Sequence, residues 1–359
     1  MIDRVVDRLL NRTVQQGLLP VDPEVAAFHA SIPIVDLLVG TPLFRRGFLE
    51  PIGHGHVDLP RARQGGLDVI SFSVATRFPN LGGTLSAPHF LALGVPLRRL
   101  RSDPAIALTF LDRIDGWVAA SQGRLAWFDP ALPPHAPEGP VRVLAGIQGG
   151  HALGGDLRNV ERFHARGVRM LALAHVMDTP LAGSGSGRHA GGLTGFGREA
   201  IAELERIGVI VDLAHASVTA IREALPLLER SFAVSHTGFT ALAGRRSWWR
   251  RYSPATRNLP DDVVREVGEA GGLVGITLAT DLVGGTTMDA VVRSFAHAVE
   301  LVGPEHVALG SDFDGALRMP FDVTGLPALT AALLGAGMTR QNVAAIMGGN
   351  ALRLLAGAT

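Results

Sequence analysis

The chain has 359 residues, of which 47% are hydrophobic and 18% charged, so it is long enough to bury a large core. Its 33 basic and 33 acidic residues balance, which argues against a nucleic-acid groove or a membrane-surface patch. Every basic residue is arginine and cysteine is absent, which excludes lysine Schiff-base chemistry, thiolate nucleophiles and disulfides. A small neutral or zwitterionic ligand suits this balance of charge.

Residues 1–30 are predicted to form a helical extension at the amino terminus. The opening sequence MIDRVVDRLL is amphipathic and lacks the apolar core of a signal peptide, and no later run reaches about 18 apolar residues. We therefore expect a cytoplasmic protein that does not interact with a membrane.

Short apolar runs recur along the chain, and most are followed by a helical pattern. This alternation is typical of parallel strands connected by helices. Eight such runs predict an α/β fold, a (β/α)8 TIM barrel, formed as a single domain over residues 1–359. The runs are Ile32–Val39, Leu67–Ala75, Val141–Ile147, Val168–Ala174, Val209–Ala214, Phe232–Ser235, Gly272–Ala279 and Val307–Gly310.

Helical patterns occupy most of the intervals between these runs. The stretch from Trp127 to Pro140 is rich in proline and small residues, and we predict a long loop there. The predicted helices are Pro104–Ser121, Gly197–Ile207, Ser217–Leu228, Pro260–Ala270 and Met288–Leu301.

Polar side chains stand at the ends of several predicted strands, where a barrel of this kind carries its catalytic groups. A single histidine there is more often a satisfied core residue, but several polar groups that converge from separate strands favour a site. These residues are Gln148, His175, His215, His236 and Asp312.

The residue types at these strand ends permit metal and acid–base chemistry. His215 and His236 could bind one zinc ion from adjacent strands. Asp312 could complete a two-histidine, one-carboxylate set, act as the base on a bound water, or merely form a turn. His175 could donate a hydrogen bond to a carbonyl that becomes tetrahedral. Arg257 could clamp a substrate carboxylate, although a surface arginine near a helix start is the commoner case.

Eight short motifs then occur in an order that chance would rarely produce. They are Val57–Arg61 with Gly65–Gly66, Gly149–Leu153, Gly192–Thr194 with Phe196–Gly197, Val211–Ser217, Ser235–Thr237, Arg257–Asn258, Gly310–Gly315 and Gly349–Asn350. Together they resemble the membrane (renal-type) dipeptidases, a family of zinc peptidases with a TIM-barrel fold, over nearly the whole chain. The resemblance implies a homodimer that cleaves dipeptides with a pair of zinc ions bridged by a glutamate and a water.

The resemblance also implies roles for individual residues. His215 and His236 fall on the ligands of the second zinc, and His175 falls on the carbonyl-binding histidine. Arg257, with the neighbouring Asn258, falls on the substrate-carboxylate arginine. Asp312 falls on the acidic partner of the bridging water.

The first metal position departs from the family. Its His-x-Asp ligand pair is replaced in the segment Asp36–Gly40, and its bridging glutamate is replaced by Gln148. A neutral amide binds zinc poorly and leaves Gln148 as a candidate substrate ligand. We therefore predict one zinc ion at most, or none, held by His215 and His236 with either Asp312 or Gln148.

Two further segments stand out. Residues 244–256 form an insertion near the expected site, and its Trp248 and Trp249 could cover an aromatic or anionic part of the substrate or form an oligomer contact. The segment His54–Asp58 looks like a metal motif but aligns with a family loop, so we do not expect it to bind metal.

These observations leave three functions open. The first is an enzyme with a reduced metal site that acts on an amino-acid-like or peptidyl small molecule, by altered hydrolysis or by a biosynthetic tailoring step. The second is a pseudoenzyme that binds a ligand or partner, and the third is a true zinc dipeptidase with surrogate ligands. The first is favoured because a decaying site has no reason to keep several polar groups that are costly to bury.

Overall fold

Eight parallel strands follow one another around a barrel in sequence order, as the apolar runs predicted. The computed structural model describes residues 7–15, 19–78, 87–133, 135–136, 139–243 and 254–357. The strands are β1 Val35–Val39, β2 Val69–Ala75, β3 Val141–Gln148, β4 Val168–Ala172, β5 Ile210–Asp212, β6 Ala233–Thr237, β7 Leu273–Ile276 and β8 Val307–Leu309. The fold is therefore the predicted TIM barrel.

Helices alternate with the strands and begin at side-chain caps in several places. Asp58, Ser102, Thr194 and Ser217 each accept a hydrogen bond from a backbone N–H in the first turn of the following helix. The helices are α1 Pro23–His29, α2 Leu59–Gln64, α3 Ala87–Ala92, α4 Asp103–Ala120, α5 Arg158–His164, α6 Gly195–Ile207, α7 Val218–Ala224, α8 Thr240–Ala243, α9 Pro254–Arg257, α10 Asp261–Glu269, α11 Met288–Val302, α12 Leu326–Gly335, α13 Arg340–Ala344 and α14 Asn350–Ala356.

Two segments outside the barrel contain short strands. The predicted helical extension contains α1 and also the strand Arg12–Thr13, which pairs with Arg318–Met319. The predicted loop Trp127–Pro140 begins at the last residue of the strand Leu125–Trp127, which pairs with β3. None of the helices in the described ranges is long and apolar enough to cross a membrane.

The apolar core has two layers, as a barrel requires. Residues on the inner face of the strands, such as Val69, Leu144 and Met170, pack together in the barrel interior. Residues on the outer face, such as Phe72 and Val143, pack against the helices. Because both faces are buried, the strands are near-continuous runs of apolar residues.

Pairing between neighbouring strands is shortest at two junctions. In the described chain, β5 and β6 share one paired position. Between β8 and β1 the bridge joins Val39, at the end of β1, to Phe313, which lies in the loop after β8. Every other junction has at least three paired positions. Fewer backbone groups pair with each other at these two places, so some of their polar groups need other partners.

A buried aspartate supplies those partners at each junction. At the β8–β1 junction, Asp36 accepts from the backbone N–H groups of Leu38 at 3.1 Å and Ser311 at 2.9 Å, and from the Ser311 hydroxyl. At the β5–β6 junction, Asp212 accepts from the backbone N–H groups of Ala214 and Ser235, both at 2.9 Å, and from the Ser235 hydroxyl at 2.6 Å. We call Asp36 with Ser311 the first bracket and Asp212 with Ser235 the second bracket.

The first bracket should make stability depend on pH. Burial raises the pKa of Asp36 from its ordinary value of 3.8 to about 7. Between these values the folded chain keeps a proton that the unfolded chain releases, so this contribution to stability is complete below about pH 4 and is lost as the pH rises through about 7. The free energy of urea unfolding should therefore fall less steeply between pH 4 and 7 in Asp36→Asn than in the wild type.

A surface variant, Asp129→Asn, serves as the control and should keep the wild-type slope. Parallel slopes for Asp36→Asn and the wild type would contradict this assignment.

Candidate functional site

The carboxyl end of the barrel gathers most of the residues that were predicted to form a site. The imidazole rings of His175 and His215 lie 4.7 Å apart between centroids, and those of His215 and His236 lie 4.9 Å apart. Asp312 approaches His236, and Gln148 ends β3 on the neighbouring side. The convergence of these side chains from separate strands agrees with the prediction.

The two predicted metal histidines face each other through the same ring atom. The Nε2 atoms of His215 and His236 are 3.1 Å apart, and both side chains are buried. Burial lowers the pKa of both rings well below the ordinary value, and the nearby charge of Arg257 lowers it further. Both imidazoles are therefore neutral, which is the form that binds a metal.

The second bracket orients His236. The Ser235 hydroxyl lies 2.8 Å from Nδ1 of His236 and 2.6 Å from the Asp212 carboxylate. By contrast, Nδ1 of His215 is buried and has no hydrogen-bond partner within the described ranges. Among the described residues, His236 therefore has a polar partner at both ring nitrogens, whereas His215 has one only at Nε2.

Backbone geometry aims two of the site residues. His215 has φ of 64° and Asp312 has φ of 65°. Both values lie in the left-handed region, which residues other than glycine rarely adopt. Such residues persist where the surrounding structure fixes them, and they cluster at functional sites.

Asp312 is the carboxylate nearest to the histidine pair. Its Oδ2 atom lies 4.0 Å from Nε2 of His236. Burial raises the pKa of Asp312 to about 6, whereas the charge of Arg257 opposes that rise. A carboxyl group with a pKa near neutrality suits proton transfer.

Gln148 points its amide towards the second bracket. Its Nε2 atom lies 3.5 Å from Asp212 Oδ2, and its Oε1 atom is buried without a partner among the residues described. Asp212 can only accept hydrogen bonds in its ionised form, so the amide NH2 group is the end that faces it. A carboxylate at position 148 would instead face the charge of Asp212.

Backbone packing leaves little space at Gly40, in the segment that the family resemblance matches to the first metal position. At Gly40, an added Cβ atom would lie 2.5 Å from the backbone oxygen of Asp314. The N–H of Gly40 donates to the carbonyl of Phe313 at 2.7 Å, and the carbonyl of Leu38 accepts from the N–H of Asp312 at 3.1 Å. The loop after β8 therefore packs against the place where the family's aspartate ligand would begin.

Arg257 is buried beside the histidine pair. Its exposed fraction is 2%, and its Nη2 atom donates to the backbone carbonyl of His236 at 2.5 Å. Within the described ranges, its Nε atom has no partner and no carboxylate lies within 4.0 Å of the guanidinium. A buried cation without a partner of opposite charge is costly, so this position favours an anionic ligand.

The neighbouring Asn258 contacts the protein rather than the site through its amide NH2. Its Nδ2 atom donates to the backbone carbonyls of Phe239 and Leu282. Its Oδ1 atom has no partner in the described part of the chain. Only that oxygen can therefore make the substrate contact that the sequence predicts.

His175 is half-buried and neutral. Burial lowers its pKa to about 3, against the effect of a hydrogen bond to the backbone of Arg77. Its Nδ1 atom has no partner among the described groups. A neutral imidazole has a single ring N–H, so the predicted donation to a substrate carbonyl depends on which ring nitrogen carries that proton.

Other predicted segments lie elsewhere. Trp248 and Trp249 fall outside the described residues, as does most of the insertion 244–256. His56 is fully buried and accepts from the N–H of Asp314 at 2.9 Å, while His54 contacts the carbonyl of Ile52 at 2.9 Å. These two histidines are used in local structure.

Sequence reasoning missed the roles of Asp36, Asp212, Ser235 and Ser311. Asp212 and Ser235 lie within motifs that the sequence comparison singled out, but no function was attached to them. The signal was available, since an aspartate inside an otherwise apolar strand must find partners when it is buried.

Comparisons with known proteins identify the family to which the sequence is similar. The sequence model of the family described as "Membrane dipeptidase (Peptidase family M19)" matches residues 23–359. Dipeptidase aclJ of Aspergillus oryzae is 34% identical over 232 residues, which are 62% of this chain and 52% of that protein. The matched region thus spans about half the length of that relative.

Solved structures show the same architecture. A metallopeptidase from Rhodobacter sphaeroides, bound to a phosphinate mimic of the dipeptide L-Ala-D-Ala, has a TM-score of 0.76 and 27% identity, covering 91% of this chain and 99% of that chain. Dipeptidase AC, a metallopeptidase of family M19, has a TM-score of 0.75 and 26% identity, covering 91% and 98%.

The close contact at Gly40 predicts that two glycines of one loop differ strongly in how much stability the protein loses when each is replaced by alanine. Gly40→Ala should destabilise the protein by about 1–3 kcal/mol, because the new methyl group would press on the backbone of Asp314. Gly47→Ala is the matched control, since an added Cβ there would meet nothing within 4 Å. Urea unfolding of both variants measures the difference, and equal stability of the two would contradict the packing described here.

Proposed function

The chain belongs to the membrane dipeptidase family, peptidase family M19, and from that premise we propose that it is a divergent enzyme with a reduced metal site. Its substrate in this proposal is an amino-acid-like or peptidyl small molecule with a free carboxylate. The observation that carries the proposal is the contrast between the two metal positions. His215 and His236 retain ligand geometry at one, whereas Leu38, Gly40 and Gln148 provide no charged ligand at the other.

The histidine pair fits one metal ion. Two nitrogen ligands at about 2.0–2.1 Å from a tetrahedral zinc lie about 3.3 Å apart, close to the 3.1 Å between the two Nε2 atoms. Asp312 Oδ2, at 4.0 Å from His236 Nε2, would need only a small shift to become a third ligand. The family and its metallopeptidase neighbours point to zinc dependence. When bound, zinc would act as a Lewis acid that polarises a substrate carbonyl.

The first position does not fit a second ion. Its available groups are the apolar Leu38, the side-chain-free Gly40 and the neutral amide of Gln148. In the described residues, no three histidine, aspartate or glutamate side chains already lie close enough together to hold a metal ion at either position, so Asp312 would have to move to complete the histidine pair. Hence the proposal is for one ion at most.

Two other side chains would bind the substrate and transfer the proton. Arg257 would hold the substrate carboxylate, since its buried guanidinium has an uncommitted Nε atom. Asp312, with its pKa raised to about 6 by burial, would accept or return the proton that the reaction moves. Such a set permits altered hydrolysis, and it also permits non-hydrolytic acid–base chemistry in a biosynthetic tailoring step.

The similarity to known dipeptidases supports the substrate class. The phosphinate mimic of L-Ala-D-Ala in the Rhodobacter sphaeroides structure shows that a protein of this fold accepts a dipeptide shape. We extend this to a small molecule of amino-acid or peptide character for the present chain. A homodimer is proposed from the family resemblance alone.

A second function is a ligand-binding pseudoenzyme. The missing ligands of the first position and the absence of a three-ligand cluster within the described ranges favour it. The buried Arg257 would then still bind a carboxylate, but Asp312 would have no proton to move. A true zinc dipeptidase with surrogate ligands is a third candidate, and it requires Gln148 to serve as a metal ligand.

Arg257 should set the preference for a substrate carboxylate. The test compares dipeptides with the matching dipeptide amides, and the wild type should favour the free carboxylate. Arg257→Gln should lose most of that preference, because glutamine lacks the planar guanidinium that binds a carboxylate through two hydrogen bonds. Steady-state rates with and without added zinc measure the effect. An exposed arginine, tested as Arg158→Gln, should leave the preference unchanged.

The outcomes separate the candidates. Turnover that depends on Arg257 supports the enzyme. Calorimetric binding of the dipeptide without turnover, also dependent on Arg257, supports the pseudoenzyme. Equal handling of carboxylates and amides by the wild type would overturn the assignment of Arg257 in both.

A further inference from the structure

We infer that Asp212 and Ser235 are positioning residues that fix the proton of His236 on Nδ1 and so keep the Nε2 lone pair directed into the site. The inference rests on the proposed function, because it concerns the same site. It goes beyond that function by assigning a task to two residues that touch neither substrate nor metal.

The direction of the hydrogen bonds follows from the partners of Asp212. Its carboxylate receives the N–H groups of Ala214 and Ser235 at 2.9 Å and the Ser235 hydroxyl at 2.6 Å. The Gln148 amide approaches the same carboxylate at 3.5 Å. Burial raises the pKa of Asp212, whereas the hydrogen bonds from Ser235 and Ala214 oppose that rise and favour the ionised carboxylate, which acts only as an acceptor.

The hydroxyl of Ser235 then determines which ring nitrogen of His236 carries the proton. A serine hydroxyl has a single hydrogen, which is given to Asp212, so its oxygen can only accept from Nδ1 of His236 at 2.8 Å. A neutral imidazole that carries its proton on Nδ1 has a lone pair on Nε2. That lone pair faces Nε2 of His215 at 3.1 Å.

The pairing of the two histidines is consistent with this arrangement. Without a metal, Nε2 of His215 must donate to the lone pair of His236, because the two nitrogens cannot both accept. The ring of His215 has no comparable partner, since its Nδ1 atom is unpaired in the described residues. The second bracket therefore acts on His236 alone.

The first bracket provides a matched control within the same chain. Ser311 donates its hydroxyl to Asp36 and its N–H to the same carboxylate, just as Ser235 does to Asp212. Among the described residues, no histidine accepts or donates at the Ser311 hydroxyl, whose other contacts are to Leu38 and Phe313. Ser311→Ala thus removes a bracket without removing a histidine partner.

The experiment reads the protonated ring nitrogen directly. Metal-free protein with 15N-labelled histidine rings is measured by long-range 1H–15N correlation, and the His236 signals are identified by their loss in His236→Ala. The wild type, Ser311→Ala and Ser235→Thr should carry the proton on Nδ1. Ser235→Ala should show a mixture of the two tautomers. An unchanged Nδ1-protonated ring in Ser235→Ala would overturn the inference.

Zinc affinity gives a second readout by competition with a chelator. Ser235→Ala should bind zinc about 10- to 100-fold more weakly, as is typical when a partner of a ligating histidine is removed. Ser235→Thr should restore the affinity, because threonine keeps the hydroxyl that contacts His236. An equal loss in Ser235→Ala and Ser235→Thr would reduce the second bracket to a structural role.

The two proposals can fail separately. If the wild type binds no zinc, the metal part of the proposed function fails, and the tautomer measurement still decides the role of Ser235.

Discussion

Two buried carboxylates hold the barrel together where fewer backbone groups of its strands pair with each other, and the site lies beside them. Asp36 and Asp212 bond the serine of a neighbouring strand end through its N–H and its hydroxyl. Each serine is followed directly by a functional residue, since Ser311 precedes Asp312 and Ser235 precedes His236. The brackets therefore satisfy polar backbone groups and also lie next to the proposed acid–base group and the proposed metal ligand.

The two proposed metal positions differ. One has neutral histidines, a buried arginine and an acidic group 4.0 Å from Nε2 of His236. The other has no charged ligand in this proposal, and the backbone of Asp314 leaves no room for a side chain at Gly40. Random loss of function would not keep the buried charge of Arg257, which is costly without an anionic partner. This contrast favours a changed reaction over an abandoned site.

The sequence revealed the barrel because apolar runs and helical patterns alternate, and it revealed the site because polar residues end the strands. It could not reveal contacts between distant residues. The clash at Gly40 depends on Asp314, and the orientation of Gln148 depends on Asp212. Asp36 appeared only as part of a degenerate ligand segment, although the structure shows that it closes the barrel with Ser311. The predicted lid of Trp248 and Trp249 lies outside the described residues.

The measurement that tests this account most directly is zinc content per chain after loading with excess metal and removal of unbound ions. The reduced site predicts no more than one zinc ion per chain, and its loss in His215→Ala. Two tightly held ions per wild-type chain would contradict the account, because the groups at Leu38, Gly40 and Gln148 would then support a metal position that we consider lost.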